Sequence, residues 1–266
     1  MDSFLQKYGP VALITGASSG IGKSFAEQLA ERGFDLLLVA RREERLQAIR
    51  ENLQSKFGVQ VHILVQDAAE PGAAARMYNY ARENNLQIGL LINNAGYGSF
   101  GEFDSLNLES ELKMIDLSCR TPAELTHRFI PDMKQRGKGG VIFVSSIVGQ
   151  IVTPFMANYS GVKAYEFFFA NVLYGELKPY GIDVLALLPG TTDTEFFEIA
   201  RMKRMEFQKR KPVQAARTAL RAIGKRSYIV DGAMYKFFVF ITRFVPIRFL
   251  IKMGGKAMQP TKDPSL

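Results

Sequence analysis

Tyr159 and Lys163 stand four residues apart in SSIVGQIVTPFMANYSGVK, residues 145 to 163, and on a helix that spacing brings two side chains to one face. An ammonium beside a phenol favours the phenolate, so the pair could bring a hydroxyl whose pKa starts near about 10 toward working pH. Such a phenol can exchange a proton with a carbinol or carbonyl oxygen. Ser146, at the end of the preceding apolar run, could hydrogen-bond the same oxygen and orient it. YxxxK alone recurs by accident on helices, so the pair acquires meaning only from what stands upstream.

Upstream stands TGASSGIG, residues 15 to 22, directly after an apolar run and leading into a helical pattern. Gly16, Gly20 and Gly22 leave the backbone bare for a pyrophosphate, and the helix amino terminus, with Ser18, Ser19 and Ile21 in the turn, offers free N–H groups and a favourable dipole. A tight strand-to-helix turn also uses glycine, so the flanking strand and helix are what favour a dinucleotide. The second run ends VARREE. Ala40 occupies the place where an acid would hold a free ribose 2′-hydroxyl, and Arg41 and Arg42 follow, able to clamp a 2′-phosphate in forked geometry. Pairing of these arginines with Glu43 and Glu44 would leave the missing acid unexplained. The expected cofactor is therefore NADP(H). Asp67, at the end of the third run, and Asn93, Ala95 and Gly96 of NNAG are expected cofactor contacts, although Asn and Gly after a strand also make ordinary turns.

The elements that must position these groups are legible as alternation. VALIT (11 to 15), FDLLLVA (34 to 40), VQVHILVQ (59 to 66), IGLLINN (88 to 94), GVIFVSS (140 to 146), IDVLALLP (182 to 189) and SYIV (227 to 230) read as strands, separated by segments of period near 3.6. Runs so continuous in Val, Ile and Leu are apolar on both faces, as a parallel sheet between helices requires. The expected fold class is α/β, a Rossmann-like doubly wound parallel sheet of about seven strands in a single domain. Residues 1–200 would form its dinucleotide-binding and catalytic core, and 201–266 a basic apolar extension of the same domain.

The composition, 47% apolar and 23% charged over 266 residues, excludes a disordered chain. With one cysteine, Cys119, there is no internal disulfide and no cysteine metal cluster, which suits a reducing compartment. The amino terminus lacks the pattern of a secretory signal, so a cytoplasmic protein is expected. Charge is uneven: residues 1–200 hold 18 Lys or Arg against 23 Asp or Glu, and 201–266 hold 16 against 3. A basic tail of this kind can meet nucleic acid, an anionic membrane or acidic substrates, or be a solvated helical face.

Taken together, TGASSGIG, NNAG, the serine of VSS, YSGVK and the PG of LLPGTTDTEF resemble the short-chain dehydrogenase/reductase family, in the family's order and approximate spacing over about residues 8 to 200. The resemblance implies Tyr159 as proton donor or acceptor, Lys163 holding the nicotinamide ribose while lowering the tyrosine pKa, and Ser146 positioning the substrate oxygen. It places Pro189, Gly190 and Thr194 along the nicotinamide, though they also suit a strand-ending turn. It implies hydride transfer between nicotinamide and a carbon bearing oxygen, with carbonyl reduction as the expected direction. An NADP(H)-binding sensor or scaffold with little catalysis is the alternative, against which the intact Ser146, Tyr159 and Lys163 argue. Family members commonly form dimers or tetramers through the helices around 105 to 136 and 155 to 179. The FFF of YEFFFANVL suits such a contact or an intramolecular core.

In MIDLSCRTPAEL, residues 114 to 125, Asp116 stands where the resemblance implies an asparagine whose backbone holds a water linked to the active-site lysine. Either the backbone alone acts there, or the carboxylate lies near Lys163 and Tyr159 and joins the proton path. After the PG turn, Phe196, Phe197, Ile199 and Met202 on a helix-like piece over 192 to 211 are available to a pocket, which favours a hydrophobic ketoacyl, steroid-like or aromatic ketone substrate. The later stretch DGAMYKFFVFITRFVPIRFLIKMGGKAM is interrupted by Lys236, Arg243, Arg248 and Lys252 and broken by Pro246. It is too short in uncharged residues to span a membrane. Burial against the body or another subunit is expected first, peripheral membrane contact second, and nucleic acid is not expected.

Overall fold

In the computed structural model, which describes residues 3–200, 202 and 209–259, the apolar runs become seven strands: β1 (Val11–Thr15), β2 (Asp35–Ala40), β3 (Val61–Val65), β4 (Ile88–Asn93), β5 (Gly139–Val144), β6 (Ile182–Pro189) and β7 (Tyr228–Asp231). All pair in parallel, in the order β3-β2-β1-β4-β5-β6-β7. The connections are α1 (Ser3–Tyr8), α2 (Gly20–Ala30), α3 (Glu43–Phe57), α4 (Ala73–Glu83), α5 (Leu108–Ile115), α6 (Thr121–Arg136), α7 (Ala157–Leu177), α8 (Phe196–Ile199), α9 (Pro212–Ala222), α10 (Ala233–Thr242) and α11 (Ile247–Ala257). A π-helical turn, Asp116–Arg120, joins α5 to α6. Of the helix-like piece expected over 192 to 211, residues 201 and 203–208 lie outside the described residues; in the described part only the single turn α8 is helical, and Arg210 instead forms a bridge with Thr192.

Successive strand residues point to opposite faces, and both faces are buried. On β1, Ala12 and Ile14 join one core with Phe25 and Leu29 of α2, Leu46 of α3 and Ala216 and Leu220 of α9. Val11 and Leu13 join the other, with Met77 of α4, Phe129 of α6 and Leu173 of α7. β7 and α9 belong to this sheet and its first core, so part of the carboxy-terminal extension is structural core. The chain winds outward from β1 to β3 and then crosses to β4 on the other side of β1. At that switch point the carboxyl ends of the strands open a crevice, where ligands bind in doubly wound sheets.

Candidate active site

The glycine turn closes on itself at the crevice. Gly16 and Gly20 have φ of +66° and +55°, conformations that side chains rarely adopt. A Cβ on Gly22 would overlap the Gly16 carbonyl. Asn94 pins the turn to β4: its Nδ2 donates to Thr15 O at 2.8 Å and Gly16 O at 3.2 Å, while the Thr15 hydroxyl accepts from the Asn94 and Ala95 amides, each at 3.0 Å. Ile21 packs against the first core and so fixes the start of α2. Asn93 is a buried peg, donating from Nδ2 to Thr126 Oγ1 at 3.3 Å. The expectation of a cofactor contact at Asn93 thus meets a side chain turned toward α6, and the residue that orders the turn is its neighbour.

At the end of β2 the two arginines behave differently. Arg42 lies over the glycine turn, donating to Ser18 Oγ at 3.1 Å and Ser19 Oγ at 2.8 Å, with Glu195 Oε2 at 2.7 Å. Arg41 is exposed, with Asp67 Oδ2 at 3.7 Å, while Asp67 Oδ1 accepts from the Ala69 amide. Two guanidiniums and two hydroxyls beside a backbone that a Cβ would obstruct form a donor set suited to a dinucleotide with a 2′-phosphate. Thr194 sits across the turn, its methyl against Gly20. Beyond Pro189, at the end of β6, a Cβ on Gly190 would strike the Tyr235 ring, so α10 packs directly on this turn.

On the other side of the crevice, Ser146 follows β5, and Tyr159 and Lys163 lie in the first turns of α7. The Ser146 hydroxyl accepts from the Val148 amide at 3.4 Å and lies near enough to the Tyr159 phenol to favour its ionised form. Tyr159 is 7% exposed and packs on Phe196 with ring centroids 5.1 Å apart. Around them Met114, Met156 and Val162 form an apolar cluster, completed by Phe100, Phe196, Met202 and Met258. Phe155, at the entry to α7, is held at φ +66°, a strained conformation for a bulky residue. The tyrosine pKa is pushed up, contrary to the lowering expected from YxxxK. Burial outweighs Lys163 and the nearby Ser146 hydroxyl, which both pull it down, and the charge of Glu166 adds to the rise.

Glu166 is the residue that reading the sequence missed. Lys163 Nζ lies 2.8 and 3.1 Å from its two carboxylate oxygens and donates to Val144 O at 2.9 Å, with the two side chains 5% and 3% exposed. The signal was present as spacing: Tyr159, Lys163 and Glu166 fall at i, i+4 and i+7 of one helix face.

Asp116 is not brought to this group. Its carboxylate pairs with Arg120 Nε at 3.1 Å, and the charges acting on Lys163 are Glu166, Tyr159 and Cys119. The polar side chain of the π turn that does approach is Ser118, fully buried and without a hydrogen-bond partner. A Cβ on Gly96 would have Lys163 Nζ at 3.3 Å and Ser118 Oγ at 3.9 Å. One residue more or less along a helix turns a side chain by about 100°, which is why a position two residues on faces elsewhere.

The tail is only partly buried. Tyr235, Val239 and Thr242 of α10 face the body, whereas Phe237, Phe240 and Phe244 are exposed, Phe244 by 73%. No helix among the described residues is long and apolar enough to cross a membrane.

Comparison with known proteins agrees with this geometry. The short chain dehydrogenase family model matches residues 10–204. A very-long-chain 3-oxoacyl-CoA reductase of Anas platyrhynchos is 31% identical over 225 residues, covering 82% of this chain and 70% of that protein. A 7beta-hydroxysteroid dehydrogenase of Clostridium sardiniense is 31% identical over 192 residues, 72% of this chain and 73% of its own. A solved short-chain dehydrogenase from Sphingobium yanoikuyae, in complex with NADPH, superposes with a TM-score of 0.79 at 31% identity, covering 96% of this chain and 98% of that one.

Proposed function

Since the chain belongs to the short-chain dehydrogenase family, we propose that it is an NADP(H)-dependent oxidoreductase that reduces a carbonyl on a hydrophobic substrate to the alcohol. The observation that carries this reading is the buried Ser146–Tyr159–Lys163 group, set in an apolar cluster beside the glycine turn. NADP(H) over NAD(H) is supported by Arg42 over Ser18 and Ser19, by Ala40 in place of an acid, and by the NADPH complex of the Sphingobium relative.

The residues divide the work as follows. Arg41, Arg42, Ser18, Ser19 and the turn from Gly16 to Gly22 hold the adenosine phosphate and pyrophosphate, with Asp67, Ala95 and Gly96 lining the adenosine side and Pro189, Gly190 and Thr194 the nicotinamide side. When bound, the nicotinamide supplies the hydride. Ser146 donates a hydrogen bond to the carbonyl oxygen, and Tyr159 delivers its phenolic proton to that oxygen as negative charge develops there. Lys163 stabilises the phenolate left behind, and would reach the ribose by exchanging one of its acceptors in this structure, Glu166 or the Val144 carbonyl, for a ribose hydroxyl. Phe196, Met156 and Met202 exclude water and receive the apolar part of a ketoacyl, steroid-like or aromatic ketone.

Two exposed surfaces favour partners. Leu108, Leu112 and Ile115 on α5, with Tyr165, Phe168 and Val172 on α7, present apolar stripes suited to a homodimer or homotetramer. The outward aromatic face of α10, flanked by Lys236 and Arg243, suits peripheral contact with an anionic membrane.

The test is NADPH against NADH consumption over a panel of hydrophobic ketones and aldehydes. Turnover with NADPH is expected. NADPH binding without turnover on any member would instead favour a sensor or scaffold.

A further inference from the structure

We propose that Glu166 is a positioning residue of the active site, a buried counter-charge that holds Lys163 and limits how strongly its ammonium acts on Tyr159. The inference rests on the reading of Tyr159 as the proton donor.

Geometry carries it. A lysine ammonium has three N–H donors, and in this structure all three find acceptors: the two oxygens of Glu166 and the Val144 carbonyl. The pair lies at i, i+3 on α7, one turn beyond Tyr159. Neither group touches solvent appreciably, so neither could be left alone at low cost. Removing one partner of a buried pair leaves an uncompensated charge. Surface salt bridges of this protein, such as Lys113 with Glu109, carry no such constraint.

The consequence is electrostatic. The titratable and charged groups that face Glu166 among the described residues are Lys163 and Tyr159 from its own helix and Cys119 from the π turn. Lys163 favours the phenolate of Tyr159, and Glu166 opposes it. While Glu166 is ionised, the lysine charge seen by Tyr159 is offset in part and the phenol keeps its proton to higher pH. Burial pushes the Glu166 carboxyl itself up to about 7, against the pull of Lys163. The counter-charge is thus present on the alkaline side of neutrality, where a proton donor is most at risk of losing its proton. Below that pH the carboxyl gains a proton and leaves the lysine charge uncompensated.

The test has two arms. In the first, the absorbance of tyrosinate is titrated in the full-length protein without substrate or cofactor, for wild type and Glu166→Gln, each compared with its Tyr159→Phe counterpart so that only Tyr159 is read. The midpoint is expected to fall by about one pH unit in Glu166→Gln, the size of a single nearby charge. In the second arm, the alkaline limb of NADPH-dependent reduction is expected to move to lower pH by the same amount. Glu166→Asp, which keeps the charge but withdraws it, should give a smaller shift in the same direction and remains informative if the glutamine variant does not fold. An unchanged or raised Tyr159 midpoint in a folded variant overturns the proposal. A shifted midpoint with no reductase activity in wild type would instead preserve the counter-charge and remove the proposed reaction.

Discussion

Glu195 reaches across the crevice to Arg42, its Oε2 2.7 Å from Arg42 Nη1, and binds Arg45 with its other oxygen at 2.5 Å. A side chain from the loop after β6 therefore occupies one edge of the guanidinium that also serves Ser18 and Ser19. The two arginines hold the Glu195 carboxyl down at about 2. A lowered acid contributes above its ordinary carboxylate range, and the contribution is lost only as pH falls toward 2. Near neutrality the contact is constant, so it competes with a cofactor phosphate at every working pH. Glu195→Gln is expected to tighten NADPH binding several-fold at low salt, by the same factor relative to wild type at pH 7 and pH 8, read by cofactor fluorescence. Weaker binding would mean that Glu195 orients Arg42 rather than competing for it.

Arg42→Ala removes the guanidinium instead. A hydrogen bond to a charged phosphate is worth roughly 1.5–3 kcal/mol, about 10- to 100-fold in affinity. NADPH binding is expected to weaken by that factor while NADH, lacking the 2′-phosphate, changes little. Equal loss for both cofactors would place Arg42 on another part of the nucleotide.

Gly22→Ala puts a methyl where the Gly16 carbonyl and Asn94 Nδ2 already lie. Neither is the free end of a flexible chain, so the turn must open. A cost of about 1–3 kcal/mol is expected, with cofactor binding lost before the fold, as checked by thermal unfolding with and without NADPH. An unaltered melting temperature together with unaltered NADPH binding would show the turn to be more compliant than its packing implies.

Asp116→Asn is expected to leave both activity and the pH profile of reduction where they are, because the carboxylate is engaged by Arg120 and not by the lysine. A moved profile would return Asp116 to the proton path.

The contrast between Asp116 and Glu166 shows what could be read without coordinates. The inner strands β1, β2, β4, β5 and β6 announced themselves as apolar runs, because a strand buried on both faces has no polar alternation to confuse with helix. Gly16, Gly20, Gly22, Tyr159 and Lys163 were legible because backbone conformation and helix spacing tie residue type to place. Asp116 drew attention as a charge between apolar neighbours, yet an exposed arginine one turn away satisfies it. Glu166 drew none, since a lone glutamate in an aromatic helix looks like the solvated side of that helix. Its burial depends on α7 packing against β5 and the π turn, which no local pattern encodes. Asn94 went unnoticed beside Asn93 for a similar reason: only the sheet shows which of the two turns toward Thr15.

For the tail, wild type is expected to co-sediment with anionic vesicles at low salt, and a Phe237→Ser, Phe244→Ser double variant to remain in solution. No sedimentation of wild type would leave α10 to contact between subunits.

The central claim, that Tyr159 donates the proton in an NADPH-dependent reduction, is tested most directly by Tyr159→Phe. Loss of a general acid costs roughly 10²–10⁴-fold in rate, so NADPH should still bind with wild-type affinity while ketone reduction falls by that factor. Reduction at the wild-type rate by the phenylalanine variant would contradict it.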